Sequence, residues 1–266
     1  MYKYRKIIAL FTTVGWLAFI FSAFKGFPFW YEGFIVFIWI TLGSLNYRHK
    51  TTLWLLHNRF LRLLKFYLFL LGFFFLVDFV ISQKLANLWI YPYHTTFISL
   101  LWIYLMYPIV MFFMVEFIYF ISSVFGENFK FLKPKNNLSH KFLDNLDNFV
   151  LIMVLFISPL LFKIVPSFSG FIVYGSIFWL IVSTIKLRYH FSHWFHLFLI
   201  FILVALLSIF LNEIPNVGVF EWVYNEAPIL NILILGVPVW IMLGWYLLVL
   251  LTLKFWLYFG LDRAEN

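Results

Sequence analysis

The chain has 266 residues, of which 64% are apolar, 24% are aromatic and only 11% are charged. A soluble domain usually carries about 25% charged residues, so this composition excludes an ordinary soluble domain and predicts an integral membrane protein. The formal net charge of +8 does not predict nucleic-acid binding, because the basic residues lie in short segments between apolar runs, where such residues set membrane orientation.

Apolar runs separated by polar breaks predict an all-α polytopic membrane protein with about eight transmembrane helices. The approximate spans are 7–24, 31–46, 66–82, 96–125, 148–165, 167–185, 194–211 and 229–259. The fourth and eighth spans are long, and they contain Pro108 and Pro238. Because proline removes one backbone hydrogen bond from a helix, we expect a kink in each of these spans.

The basic residues predict that both termini are cytoplasmic in a multi-pass protein of the cell membrane. With eight spans, every Lys and Arg except Lys25, Lys84 and Lys163 falls on the side of the N-terminus, as the positive-inside rule requires. The polar stretch 130–147 is expected to be a cytoplasmic linker between a first half, 1–129, and a second half, 148–266.

The segment 51–65 places its basic residues along one helical face. Such a segment is typical of an amphipathic helix that lies in the cytoplasmic interface of the membrane. The alternative is a basic lead-in that is continuous with the third span. The sequence leaves both interpretations open.

A short pattern occurs in both halves, about half the chain length apart. Trp89-Ile90-Tyr91 follows the third span and Trp222-Val223-Tyr224 follows the seventh. Each segment comes after an acidic residue, Asp78 or Glu213, and before a span that contains proline. The match predicts two four-helix repeats that insert in the same orientation. The alternative is coincidence, because interfacial belts are rich in Trp and Tyr.

Three acidic residues are the predicted catalytic groups. Glu116 lies inside the fourth span, and Asp78 and Glu213 lie near the outer ends of the third and seventh spans. Burying an ionised carboxylate is costly, so each group must be protonated, paired or directed at a wet cavity. General acid–base chemistry is one use for such groups. The structural alternatives are hydration of Asp78 at the interface and a hydrogen bond from Glu116 to a Tyr or Trp of another helix.

The outer segments between spans combine carboxylates with aromatic rings. Carboxylates beside Trp and Tyr bind cations, and they can raise one another's pKa and act as acid and base. The predicted ligand-binding residues are Trp89, Tyr91, His94, Glu221, Trp222, Tyr224 and Glu226. The alternative is a solvated loop that carries the aromatic residues of the membrane interface.

No metal site and no cofactor are predicted. The chain has no cysteine, which excludes thiolate ligands and disulfides. His190, His193 and His196 have a three-residue spacing, but no carboxylate lies near them in sequence, and we interpret them as interfacial residues rather than zinc ligands. Phosphate-loop, serine-hydrolase and dinucleotide motifs are absent from the sequence.

Three functions are compatible with these features. The first is a pocket on the outer side that binds a lipid-like or isoprenoid-like small molecule, with acid–base chemistry on it. The second is a carrier or channel for a cation or solute, with the outer acids as an entry funnel. The third is a non-catalytic membrane subunit that packs against partners or copies of itself. Membrane lipids are expected to contact the chain in all three.

Overall fold

The structure is a computed structural model, and it describes residues 4–125, 146–161, 164–165, 168, 170, 172–179, 194–225 and 232–261, with the backbone alone at 194–197. Five helices in these ranges are long and apolar enough to cross a membrane. They are α1 (Arg5–Phe24), α4 (Phe60–Leu85), α5 (Phe97–Val124), α8, whose apolar stretch is Phe198–Val219, and α9 (Val239–Tyr258). The chain therefore has the helices of an α-helical membrane protein.

Shorter elements lie between these five helices. They are α2 (Tyr31–Leu45), α3 (Thr52–Asn58), α6 (Leu146–Leu161), α7 (172–179), and the two-residue strands β1 (Trp89–Ile90), β2 (Val223–Tyr224), β3 (Leu233–Ile234) and β4 (Val237–Pro238). The helices α2 and α6 coincide with predicted spans, but both are shorter than the five long helices. Nearly half of the predicted span 167–185 and most of the linker 130–147 lie outside the described residues, so the count of eight spans stays a prediction.

The helix α5 forms the centre of the bundle. It packs against α2, α4, α8 and α9, and its side chains Met111, Phe113 and Met114 are fully buried. Its predicted start is confirmed, because Thr96 caps the helix and exchanges hydrogen bonds with Ser99, an arrangement that satisfies free N–H groups of the first turn. The central helix can therefore support side chains at both of its ends.

The helix α1 lies at the periphery and pairs with α2. Its large side chains point away from the protein, and Leu10, Phe11 and Val14 are 65%, 72% and 62% exposed. A soluble protein rarely exposes such a continuous apolar face. This exposed apolar face is suited to contact with the hydrocarbon core of a membrane.

The segment 51–65 fits each of the two interpretations in part: its first half is a separate short helix, and its second half is the start of α4. The short helix α3 covers Thr52–Asn58, and Arg59, with an extended φ of −143°, separates it from α4. The residues from Phe60 onward belong to α4, so the third span begins earlier than predicted. Thr52, Leu53 and Leu55 are buried, which attaches α3 to the bundle.

The last predicted span, in contrast, begins later than the sequence predicts. A hairpin of β3 and β4 occupies the start of the predicted range 229–259, and α9 begins only at Val239. Leu235 and Gly236 have φ values of 53° and 81°, as a two-residue hairpin turn requires. Pro238 precedes the helix instead of kinking it, whereas Pro108 lies inside α5. The two prolines therefore occupy different positions relative to their helices.

The two segments with the shared pattern contact each other directly. Strands β1 and β2 are antiparallel, with Trp89 opposite Tyr224 and Ile90 opposite Val223. The backbone N–H of Asn225 extends the pairing by donating to the carbonyl of Leu88 at 2.8 Å. This ribbon brings the end of α4 beside the end of α8.

Candidate functional site

A cavity of about 260 Å³ lies where the ribbon, α5 and α9 meet. Its apolar wall contains Ile103, Met106 and Val110 of α5 and Leu248 of α9. The rest of the lining is mainly aromatic and acidic. Six predicted site residues line it, namely Trp89, Tyr91, Glu213, Glu221, Trp222 and Tyr224. The volume is near the lower limit of about 300 Å³ that is usual for small-molecule pockets.

Glu213 organises one wall of the pocket. Its side chain accepts hydrogen bonds from Trp245 Nε1 at 2.8 Å, Tyr224 Oη at 2.8 Å and Trp222 Nε1 at 3.2 Å. It lies at the end of a π-helical segment, Ile209–Glu213, within α8; such segments are frequent at functional sites. Both carboxylate oxygens have partners, so Glu213 fixes the orientation of three aromatic rings.

Asp78 has the corresponding role on the other side of the ribbon. It lies in the π-helical segment Phe75–Leu85 of α4 and is 3% exposed. Its carboxylate accepts hydrogen bonds from Trp89 Nε1 at 2.8 Å, from Gln83 Nε2 at 2.7 Å and from Tyr104 and Tyr107 at 3.0 Å. Asp78 is therefore not hydrated at an interface, and it lies behind Trp89 and Tyr107, which line the pocket.

A chain of phenols connects the pocket with Asp78. Tyr107 donates to Asp78 Oδ1, and the hydroxyl of Tyr91 is in hydrogen-bond contact with the hydroxyl of Tyr107. Burial raises the pKa of Tyr91 well above the usual value of about 10, and the charge of Asp78 raises the pKa further. Burial also raises the pKa of Tyr224, with Glu213 as the next cause. Both phenols therefore remain neutral donors at physiological pH.

His94 lies between two carboxylates at the edge of the pocket. Its Nε2 atom is 3.4 Å from Glu221 Oε1 and 3.8 Å from Glu32 Oε1. The exposed fractions of His94, Glu221 and Glu32 are 3%, 2% and 8%. Glu32 and Glu221 also line the cavity. Among the described residues, these three form the group whose potential metal-ligand atoms are close enough to share one ion.

Local structure positions each member of this group. Glu32 is in the first turn of α2, where a helix N-terminus favours negative charge. Pro92 lies in a turn in which His94 N donates to the carbonyl of Tyr91 at 3.2 Å, and α5 starts directly after it. The loop of Glu221 is held by Asn216, whose side chain exchanges two hydrogen bonds with the backbone of Trp222.

Glu116 lies at the other end of α5, outside the pocket lining. Its side chain is completely buried. Oε2 accepts hydrogen bonds from Thr51 Oγ1 at 2.7 Å and Asn46 Nδ2 at 3.0 Å, and Oε1 accepts from Thr52 Oγ1 at 2.5 Å and Leu53 N at 3.2 Å. The carboxylate thus joins the end of α2 and the start of α3 to the central helix. The partners are Asn, Thr and a backbone amide, not the Tyr or Trp that the sequence suggested.

Comparison with protein-family models, curated proteins and solved structures finds no match. Function must therefore be argued from the site itself.

The pocket combines predicted residues with others that sequence reasoning missed. Asp78 and His94 stand just behind the lining, and Glu226, His190 and His193 lie outside the described residues. Glu32 was not predicted as a site residue. Tyr31, Tyr107, Trp240 and Trp245 were missed as well. Their only sequence signal is an aromatic residue within an apolar span, and many other residues of this chain share it.

Proposed function

We propose that this protein binds a lipid-like or isoprenoid-like small molecule in the pocket between α5, α9 and the ribbon. The supporting observation is that one pocket lining combines apolar side chains with carboxylates. Side chains such as Met106, Val110 and Leu248 offer an apolar surface to a hydrocarbon chain, and Glu32 and Glu221 offer hydrogen-bond acceptors to a polar head. Ligand sites commonly combine an apolar lining with a few convergent polar groups.

Unsatisfied polar atoms support binding of such a head group. Glu221 Oε2, both side-chain oxygens of Glu32 and Trp240 Nε1 are buried without a hydrogen-bond partner in the described part of the chain. A buried polar group without a partner costs free energy, and a ligand that supplied donors to the carboxylates and an acceptor to Trp240 would recover it. The polar end of the ligand therefore belongs beside Glu221 in this proposal.

Acid–base chemistry on the ligand falls to Glu221 within the same proposal. This carboxylate lines the pocket; its Oε1 is 3.4 Å from His94 Nε2, and its Oε2 has no partner among the described residues. Glu213 and Asp78 are fully engaged with aromatic donors, which suits a role in positioning the pocket walls. Glu116 is distant from the pocket lining and is proposed only as a structural group.

A carrier or channel has less support. A polar path across the membrane would have to pass the central helix, where the side chains from Met111 to Val115 are buried and apolar. They separate the pocket from the Glu116 cluster at the opposite end of α5. A purely structural subunit would not need the unpaired acids of the pocket.

We further propose that the two halves are related and that the pocket faces the outside of the cell membrane. Asp78 and Glu213 each lie in a π-helical segment of a long helix, and each accepts a hydrogen bond from the Trp of the patterned segment that follows it. The pairing of Ile90 with Val223 is the register expected of two segments related by a twofold axis. The positive-inside rule supports the orientation, with membrane lipids around α1.

The experiment is photolabelling of the purified protein in detergent with a diazirine-bearing analogue of farnesol. Gly244 lines the pocket, and a Cβ atom there would meet open space. Gly244→Phe should therefore fill the pocket without a backbone clash and reduce labelling of α5 and α9 at least tenfold. Gly72→Phe is the matched control, because Gly72 is also helical with open space around it but does not line the pocket. Equal labelling of both variants and the wild type would refute the proposed ligand site.

A further inference from the structure

When His94 is neutral, the atoms where Glu32, His94 and Glu221 converge are all hydrogen-bond acceptors. His94 Nδ1 is 3.2 Å from the carbonyl oxygen of Ser99, and a carbonyl only accepts, so the ring proton of the neutral imidazole belongs on Nδ1. The lone pair of Nε2 then points toward Glu221 Oε1 and Glu32 Oε1. Three acceptor atoms face one another with no donor between them.

In the described part of the chain, His94 is the one basic side chain within ion-pair distance of Glu32 and Glu221. Both side-chain oxygens of Glu32 and Oε2 of Glu221 are buried without a partner. The charged groups that act on Glu32 are Glu221, which repels it, and His94. Two buried carboxylates around one imidazole therefore require a proton or a cation.

We propose that Glu32, His94 and Glu221 bind one divalent transition-metal ion, with Zn²⁺ as the best match. Imidazole nitrogen and carboxylate oxygen are preferred ligands of Zn²⁺ and also suit Mn²⁺ and Fe²⁺. The hydrogen bond from Nδ1 to a backbone carbonyl is the support that metal-bound histidines usually have. It holds the ring in the orientation that coordination needs.

The distances fit an ion at the centre of the group. The ligand atoms of the three residues lie within 4.8 Å of one another, and the Nε2–oxygen separations are 3.4 Å and 3.8 Å. In a tetrahedral zinc site with bonds of about 2.05 Å, neighbouring ligand atoms are roughly 3.3 Å apart. Small side-chain movements therefore suffice to close the three ligands around one ion.

The fourth position of such an ion faces the pocket, because Glu32 and Glu221 both belong to the pocket lining. Three protein ligands with one open position are the arrangement of catalytic rather than structural zinc sites. Water or a polar ligand group would occupy the open position. This inference does not depend on the proposed lipid-like ligand, since the three residues can bind the ion whether or not the rest of the pocket is filled.

The test measures Zn²⁺ binding to the full chain in detergent after chelator treatment, by calorimetry and by elemental analysis of the desalted protein. We expect one Zn²⁺ per chain and a rise in the unfolding temperature when Zn²⁺ is added. Glu221→Gln and His94→Gln should each weaken binding by at least 100-fold and abolish the rise. Glu116→Gln is the matched control, because it removes an equally buried carboxylate at the other end of α5 and should keep binding within threefold of wild type.

A second measurement keeps the test independent of folding defects. Without metal, Glu221→Gln should unfold at the same temperature as the wild type or higher, because it removes charge repulsion from Glu32. Co²⁺ in place of Zn²⁺ should give a visible absorption band in the wild type that Glu221→Gln lacks. If the wild type binds no more Zn²⁺ than the double variant Glu32→Gln with Glu221→Gln, the group is held together by protons alone and the proposal is wrong.

Discussion

Replacing Glu116 tests whether a buried carboxylate joins three helices of this bundle. The side chain accepts four hydrogen bonds, two at each oxygen, from Asn46, Thr51, Thr52 and the backbone of Leu53. Every partner donates, so an ionised carboxylate matches the cluster and an amide does not. Glu116→Gln keeps one acceptor oxygen but turns an NH₂ group toward two of the donors.

The partners can adapt only in part to the amide. Thr51 can rotate its hydroxyl and accept, but Asn46 Nδ2 also donates to the backbone carbonyl of Glu116, so reversing its amide would break that bond. Hydrogen bonds to charged groups contribute about 1.5–3 kcal/mol each. Loss of roughly one such bond predicts a destabilisation of about 2 kcal/mol for Glu116→Gln. Glu116→Ala leaves all four donors unpaired and should cost about 4 kcal/mol.

The assay is thermal unfolding of the purified variants in one detergent. A loss of 1 kcal/mol lowers the unfolding temperature by roughly 2–4 °C in a chain of about this size, so we expect decreases of about 4–8 °C for Gln and twice that for Ala. Thr51→Val removes a single donor, keeps the side-chain shape and should cost about 1 kcal/mol. If both Glu116 variants unfold within about 1 °C of the wild type, the four hydrogen bonds do not stabilise the fold and this reasoning fails.

Two further predictions concern topology and alkaline stability. Because the chain lacks cysteine, an impermeant thiol reagent applied to intact cells should label Lys84→Cys at the outer end of α4 and leave Asn136→Cys unlabelled; the reverse pattern would invert the proposed orientation. The raised pKa values of Tyr91 and Tyr224 favour the folded state fully below the unfolded-state pKa of about 10, and this contribution is lost as the pH rises above 10 toward the folded-state values. The unfolding temperature should therefore fall above pH 10, and it should fall less steeply in the double variant Tyr91→Phe with Tyr224→Phe; an equal slope would mean that these two phenols are not responsible.

The long helices could be predicted from the sequence because hydropathy over about 20 residues depends on no tertiary contact. The start of α5 was predictable for the same reason, since Thr96 supplies a local cap. The start of α9 was not predicted, although Gly236 and Pro238 are both signals for a turn followed by a helix. The hairpin was mistaken for the first turns of the span, because its strands are apolar like the span itself.

The site was only partly predictable because its contacts join distant parts of the chain. Asp78 and Glu213 stood out since each precedes a Trp and a Tyr by about ten residues. Trp89 donates to Asp78, and Trp222 and Tyr224 donate to Glu213. Glu32 gave no comparable signal, because the residues that it meets, His94 and Glu221, follow other helices. The pairing of the two patterned segments with each other also needs a tertiary structure in which their helices end side by side.

The ribbon between β1 and β2 has a consequence for the order in which this protein can be assembled. Its first strand leaves the ribosome more than a hundred residues before its partner, and the pocket takes lining residues from α5 and from α9, which is made more than a hundred residues later. A chain that is released after the first four long apolar segments would have Trp89 and Tyr91 in place but no Tyr224 to pair with Trp89 and no Trp245. The site therefore closes only after α9 has been made, and the fragments 1–129 and 148–266 should each lack a complete pocket until they meet in the same membrane.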